Sequence, residues 1–188
     1  KVKIRLKGDF TDHLKDDKWS FRIKVRGNKS ILGMREFSLQ HPRSRNYLNE
    51  YIFHKILKEE EIPSLRYDFV NFSINGKKLG IYAIEEHFDK ILIENNGLRE
   101  GPILKFSEDE LMQSRRDLNL PSSDLFDYFN TQIQTFNIQR IKSNKEQLSQ
   151  FFIARKMFKR FLDNQLTTSE VFDVDPLSKY LAISDLLN

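Results

Sequence analysis

Cysteine is absent from the chain, which excludes disulfides, thiolate metal sites and a cysteine nucleophile. Only seven glycines and five prolines are spread along it, too few for a long flexible linker. No uninterrupted apolar run approaches the ~18 residues that span a bilayer. No basic-then-apolar leader opens the sequence either, although Lys1 has the character of mid-domain sequence and an upstream leader stays open. Neither G-x-x-x-x-G-K nor G-x-G-x-x-G occurs, so no glycine-rich phosphate loop is expected. The histidines at 13, 41, 54 and 87 lack metal-ligand spacing, and no zinc site is expected from them.

What the chain does have is enough apolar material for a core. Of its 188 residues 39% are apolar, and 16 are phenylalanine. That length suits one medium domain, or one lobe of a larger domain and part of a second. The formal charge of +4 hides an asymmetry. Residues 1–45 hold 13 Lys and Arg against 5 Asp and Glu, whereas residues 107–188 hold 10 against 12. So mild a total argues against general nucleic-acid binding. The local excess points to a site for something anionic, or else to an ordinary solvated surface.

Val2, Ile4 and Leu6 alternate with Lys1, Lys3, Arg5 and Lys7, and Trp19, Phe21, Ile23 and Val25 alternate with Lys18, Ser20, Arg22, Lys24 and Arg26. Both runs read as strands. A third strand is expected over 36–40. A helix follows over 43–60, with Ser44 as a candidate N-cap and Pro63 as its stop. Asn75-Gly76 between the runs 67–74 and 77–84 is the preferred pair for a type I′ hairpin. A short strand over 102–106 precedes a helical region. Leu148, Phe151, Phe152, Phe158 and Phe161 set a long amphipathic helix over 145–164. Asp175, as cap, and Pro176, at the first helical position, start a last helix that meets no stop signal. The domain therefore reads as unfinished at Asn188. The fold class expected is α+β: an antiparallel-sheet N-lobe with one helix over 1–106, then the start of a mainly helical C-lobe over 107–188.

If the first two strands pair, Lys3, Arg5, Lys18, Arg22 and Lys24 gather on one face. Like charges across a sheet repel, so the cluster either splays into solvent or holds a polyanion through charge-assisted hydrogen bonds. Glu86 shares a strand face with Tyr82 and Ile84, and Glu85 shares the other with Ala83. The pair is a solvated edge, or one of them orients a lysine or nucleotide. Lys105, set among Ile103, Leu104 and Phe106, calls for a carboxylate or phosphate partner. Asp173 and Asp175 read as capping residues rather than metal ligands.

Several of these segments in order resemble the spore coat protein H (CotH) kinase family. They are Arg5-Leu6-Lys7-Gly8-Asp9, Lys18-Trp19-Ser20-Phe21-Arg22, the run from Asn75-Gly76 through Leu79-Gly80-Ile81-Tyr82 to Glu86, and Lys105. The resemblance covers residues 3–106 and extends weakly to the Asp173-Val174-Asp175 helix. It implies an incomplete protein-kinase-like fold that uses ATP and Mg to phosphorylate Ser or Thr hydroxyls of a partner protein. On that basis Lys18, Arg22, Lys105, Glu86 and Arg5 are nucleotide-binding residues, and Glu50 or Arg45 orients one of the cations. The catalytic and metal-binding carboxylates of the family are expected beyond Asn188, so this stretch alone is expected to bind weakly and turn over little. The setting implied is a soluble bacterial protein without a transmembrane segment, with export or coat association left open. The alternative is a non-catalytic coat-assembly module that holds an acidic partner on its basic sheet.

Overall fold

A computed structural model describes residues 1–7, 19–107 and 132–187. The described chain forms two compact units, residues 1–99 with 175–188, and residues 100–174. Lys18 and the expected connection at 8–13 lie outside the described residues.

The first unit is built on a five-stranded antiparallel sheet in the order β1-β2-β3-β5-β4. Its strands are β1 (Val2–Leu6), β2 (Phe21–Val25), β3 (Glu36–Gln40), β4 (Tyr67–Ile74) and β5 (Lys77–Glu86). β1 and β2 pair with Val2 opposite Val25 and Leu6 opposite Phe21, which sorts apolar from cationic side chains as their alternation requires. One face of the sheet carries the core: Phe21, Ile23, Val25, Phe37, Leu39, Tyr82 and Ile84, closed by Met34. The β4–β5 hairpin turns at Asn75 (φ 51°) and Gly76 (φ 78°), the left-handed pair that a type I′ turn needs.

The helix expected over 43–60 divides. A short 3-10 turn covers Pro42–Arg45, and α1 (Asn49–Glu59) begins only after Asn46 (φ 49°) and Tyr47 (φ 57°) have taken left-handed backbone. The ring of His41, not Ser44, accepts the capping hydrogen bond, from the Arg43 amide. α1 lies on the polar face of the sheet, with Tyr51 against Phe69 and His54 stacked on Tyr67. α2 (Lys90–Asn95) follows, with Asp89 accepting from the amides of Ile91 and Leu92.

The second unit pairs β6 (Leu104–Ser107) with β7 (Gln132–Thr135) and adds α3 (Ile138–Lys142), α4 (Lys145–Leu162) and α5 (Thr168–Val171). Phe106, Phe158, Phe161 and Phe172 pack there in edge-to-face and tilted contacts. β7 has no strong alternation in the sequence and was not expected. The last helix, α6 (Val174–Leu187), starts one residue before Asp175, so Asp175 sits inside the first turn. Pro176 is tolerated because amides of the first turn have no intrahelical acceptor. α6 joins the first unit through Tyr180 on Phe53 and Lys179 to Glu60 at 3.4 Å. No helix among the described residues is long and apolar enough to cross a membrane.

Candidate functional site

The polar face of the sheet is a row of side chains set by register. Arg5 of β1 stands opposite Arg22 of β2, Arg22 opposite Ser38 of β3, Ser38 opposite Glu85 of β5, and Glu85 opposite Tyr67 of β4. Two guanidiniums facing each other are unfavourable. Glu36 compensates from β3, 3.7 Å from Arg22 and 2.9 Å from Lys24. Burial pushes the Glu36 carboxyl up, but the Lys24 hydrogen bond and the positive charges of Lys24 and Arg22 bring it below its ordinary value.

Glu85 is the hub of the inner half. Lys7, just past the end of β1, reaches it at 3.5 Å and donates to Gln40 Oε1 at 3.1 Å. Gln40 Nε2 donates to Glu85 Oε2 at 2.5 Å, and Arg45 approaches the same oxygen at 3.7 Å. Glu50, in the first turn of α1, contacts His54 at 3.3 Å. That contact, then the charges of Arg45 and Lys7, hold Glu50 below its ordinary carboxylate value against the opposing effect of burial. Burial depresses the Lys7 ammonium, aided by Arg22 and Arg45 and opposed by Glu85. Tyr67 is pushed up to about 12 by burial and by the negative charges of Glu85 and Glu50. Cations from β1, β2 and the 3-10 turn thus meet carboxylates from β3, β5 and α1 within one half-buried layer.

Several buried polar atoms in this layer have no hydrogen-bond partner: the ring nitrogens of His54, Tyr67 Oη and, adjacent to one another, Arg22 Nε and Ser38 Oγ. Each is costly to leave unpaired. The last two neighbour each other across β2 and β3, and both can donate to an oxyanion.

Next to them, His87 accepts a hydrogen bond at Nδ1 from the Arg22 guanidinium. The ring proton then sits on Nε2, 3.9 Å from Glu36. Burial, then the positive charge of Arg22, lower the His87 pKa to about 4. A base depressed in the folded state binds fewer protons there than when unfolded, so stability falls as pH drops from 6.5 toward 4. The full shift corresponds to about 3 kcal/mol. Urea unfolding at pH 7 and pH 5 should show a loss for the native chain, and His87→Gln should flatten the difference between the two.

The structure brings Arg5, Arg22, Arg45 and Glu50 of the expected site residues to this face or its rim. Glu86 lies on the other face of the sheet. It stands opposite Phe37 and takes hydrogen bonds from the Arg66 amide at 3.1 Å, from Nε at 3.0 Å and from Nη2. Lys105 lies on β6 in the second unit, opposite Gln134, with its ammonium 5.6 Å from the centre of the Phe136 ring. Sequence reasoning passed over Lys7 and Gln40 as site residues, and left open which of Glu85 and Glu86 orients a lysine or nucleotide. Lys7 was visible in the alternation of β1. Glu85 needed the β3–β5 register, which no local pattern supplies.

An antiparallel five-stranded sheet carrying one helix, followed by further helices, is an α+β architecture compatible with the lobes of a protein kinase. The family model described as CotH kinase protein matches residues 4–188, and the chain belongs to that family. No curated protein matches the chain. Membership suggests a kinase-like function, with use of ATP and a metal and action on a protein substrate in general terms.

Proposed function

We propose that this chain binds ATP, with its phosphates against the polar face of the sheet, as part of a CotH-type kinase that phosphorylates a protein Ser or Thr hydroxyl. The observation that supports this most is the pairing of two buried, unpartnered donors, Arg22 Nε and Ser38 Oγ, with the cations Arg5, Lys7 and Arg45 around them. Phosphate oxygens answer both needs, since they accept several charge-assisted hydrogen bonds at once. Glu85 holds Lys7 and Arg45 in place, with the charge of Glu50 beside them, much as a helix carboxylate orients a strand lysine in protein kinases. Family resemblance alone assigns Lys18, Glu86 and Lys105 to the nucleotide.

In the transfer itself the acceptor hydroxyl oxygen forms a bond to the γ-phosphorus and gives up its proton to solvent, the bond to the β,γ-bridging oxygen breaks, and ADP leaves with that electron pair. Bound magnesium would neutralise charge on the phosphates. Among the described residues no group of three or more His, Asp or Glu is placed to hold a metal ion.

A ligand that binds only the folded state raises its melting temperature. Millimolar ATP with Mg²⁺ should therefore raise the melting temperature of the chain, and Lys105→Ala should reduce the rise. Absence of any shift with the native chain would overturn the proposal, and an undiminished shift in Lys105→Ala would remove that residue from it.

A further inference from the structure

The outer edge of β1 forms a second feature of the same sheet that the nucleotide proposal leaves unused. β1 is terminal in the strand order. The amide of Lys7 donates to Ser20 O and the amide of Arg26 donates to Lys1 O, both at 2.9 Å, so the odd-numbered residues of this segment turn their backbone groups toward β2. The alternation of antiparallel pairing then turns the N–H and C=O of Val2, Ile4 and Leu6 outward. Among the described residues nothing pairs with them. Their side chains are also uncovered, at 41%, 46% and 50% exposure, although they stand in register with buried Val25, Ile23 and Phe21. An apolar row and an unpaired backbone ladder therefore end at the same edge.

Charge decides what fits there. Across the polar face the carboxylates lie on the inner strands, Glu36 on β3 and Glu85 on β5, and they engage Arg22, Lys24, Lys7 and Arg45. Lys1, Lys3 and Arg5 on the outermost strand are exposed, and among the described residues no carboxylate pairs with them. The sheet is unbalanced at its rim. A second copy of β1 would set lysine and arginine against lysine and arginine, an arrangement that opposes edge-to-edge self-pairing. A strand with acidic residues at alternate positions would complete both the ladder and the charge pattern. We infer that the free edge of β1 is a docking site for an extended protein segment of alternating acidic and apolar residues, bound by strand addition. Its apolar side chains extend the row of Val2, Ile4 and Leu6, and its carboxylates face Lys1 and Lys3.

The probe is a capped peptide, Glu-Val-Glu-Ile-Glu-Val-Glu, titrated into the chain at low salt. Binding is followed by fluorescence anisotropy and by amide hydrogen exchange. Two control peptides hold either the same composition in separate acidic and apolar blocks, or lysine in place of each glutamate. The alternating acidic peptide should bind and should slow exchange at the amides of Val2, Ile4 and Leu6. The block peptide should bind at least ~10-fold more weakly, because it cannot place carboxylates and apolar groups on opposite faces. The lysine peptide should not bind.

Ile4→Pro removes an outward donor without touching the ladder to β2, a placement proline tolerates on an edge strand. It should weaken binding ~10-fold. Lys3→Glu, which lies outside the nucleotide-binding residues and faces Lys24, should weaken it a few-fold. Exchange protection in the native chain decides the matter even if Ile4→Pro unfolds. Equal binding of the block peptide, or no protection at Val2, Ile4 and Leu6, would overturn the inference. Formation of a dimer through β1 with no peptide bound would do the same, by naming a different occupant.

Discussion

Replacing Arg66 with alanine is expected to cost about 3–5 kcal/mol of folding stability, the range for stranding one member of a buried ion pair. The carboxylate side chain of Glu86 is 1% exposed and is served by three donors of Arg66, the backbone amide, Nε and Nη2. Without the guanidinium only the amide of residue 66 remains, and a carboxylate is left on the core face of the sheet among Phe37, Tyr82 and Ile84. The same arginine donates to Leu32 O at 3.4 Å and lies over Gly33, where a Cβ would collide with the guanidinium. It therefore ties the segment holding Met34 to the sheet. Arg66→Met combined with Glu86→Leu should recover much of the loss, because removing both charges leaves neither one unpaired. Urea unfolding of the two variants measures this. A loss below about 1 kcal/mol for Arg66→Ala would mean the pair carries little of the fold.

The contrast between Glu85 and Glu86 shows how far the sequence could be read. Period-two alternation already places Glu86 with Tyr82 and Ile84, both core residues, and Glu85 on the opposite side. The family resemblance drew attention to Glu86, and the structure puts it in a structural ion pair, while Glu85 organises the cationic face. Elements with a strong local signal were legible: the Asn75-Gly76 hairpin, the alternation of β1 and β2, and the apolar stripe of α4. The break at Asn46 and Tyr47 was not, since tyrosine gives no local warning of a left-handed backbone and the apolar spacing runs straight across it. Non-local register was hidden for the same physical reason. Which cation meets which carboxylate depends on pairing β3 with β5, separated by more than forty residues in the chain. The convergence of cations was legible on β1 and β2, but its partners were not.

Arg22→Ala should weaken ATP binding by roughly 10- to 100-fold, the range for losing a hydrogen bond to a charged group at about 1.5–3 kcal/mol. Arg22 is suited to this because its guanidinium is held from the side by His87 and faced by Glu36, with Nε left over. Its position is fixed before a ligand arrives, so little conformational entropy opposes binding. Lys77→Ala, at the far end of the hairpin, should leave the affinity unchanged.

The most direct test of a phosphate site on the polar sheet face is an ATP titration of isotope-labelled protein, followed through its backbone amides, with Arg22→Ala in parallel. Saturable shifts centred on Lys7, Arg22, Ser38 and Glu85, lost in Arg22→Ala, are the expected result. Spectra that stay still at millimolar ATP, or shifts that persist unchanged in Arg22→Ala, would contradict it.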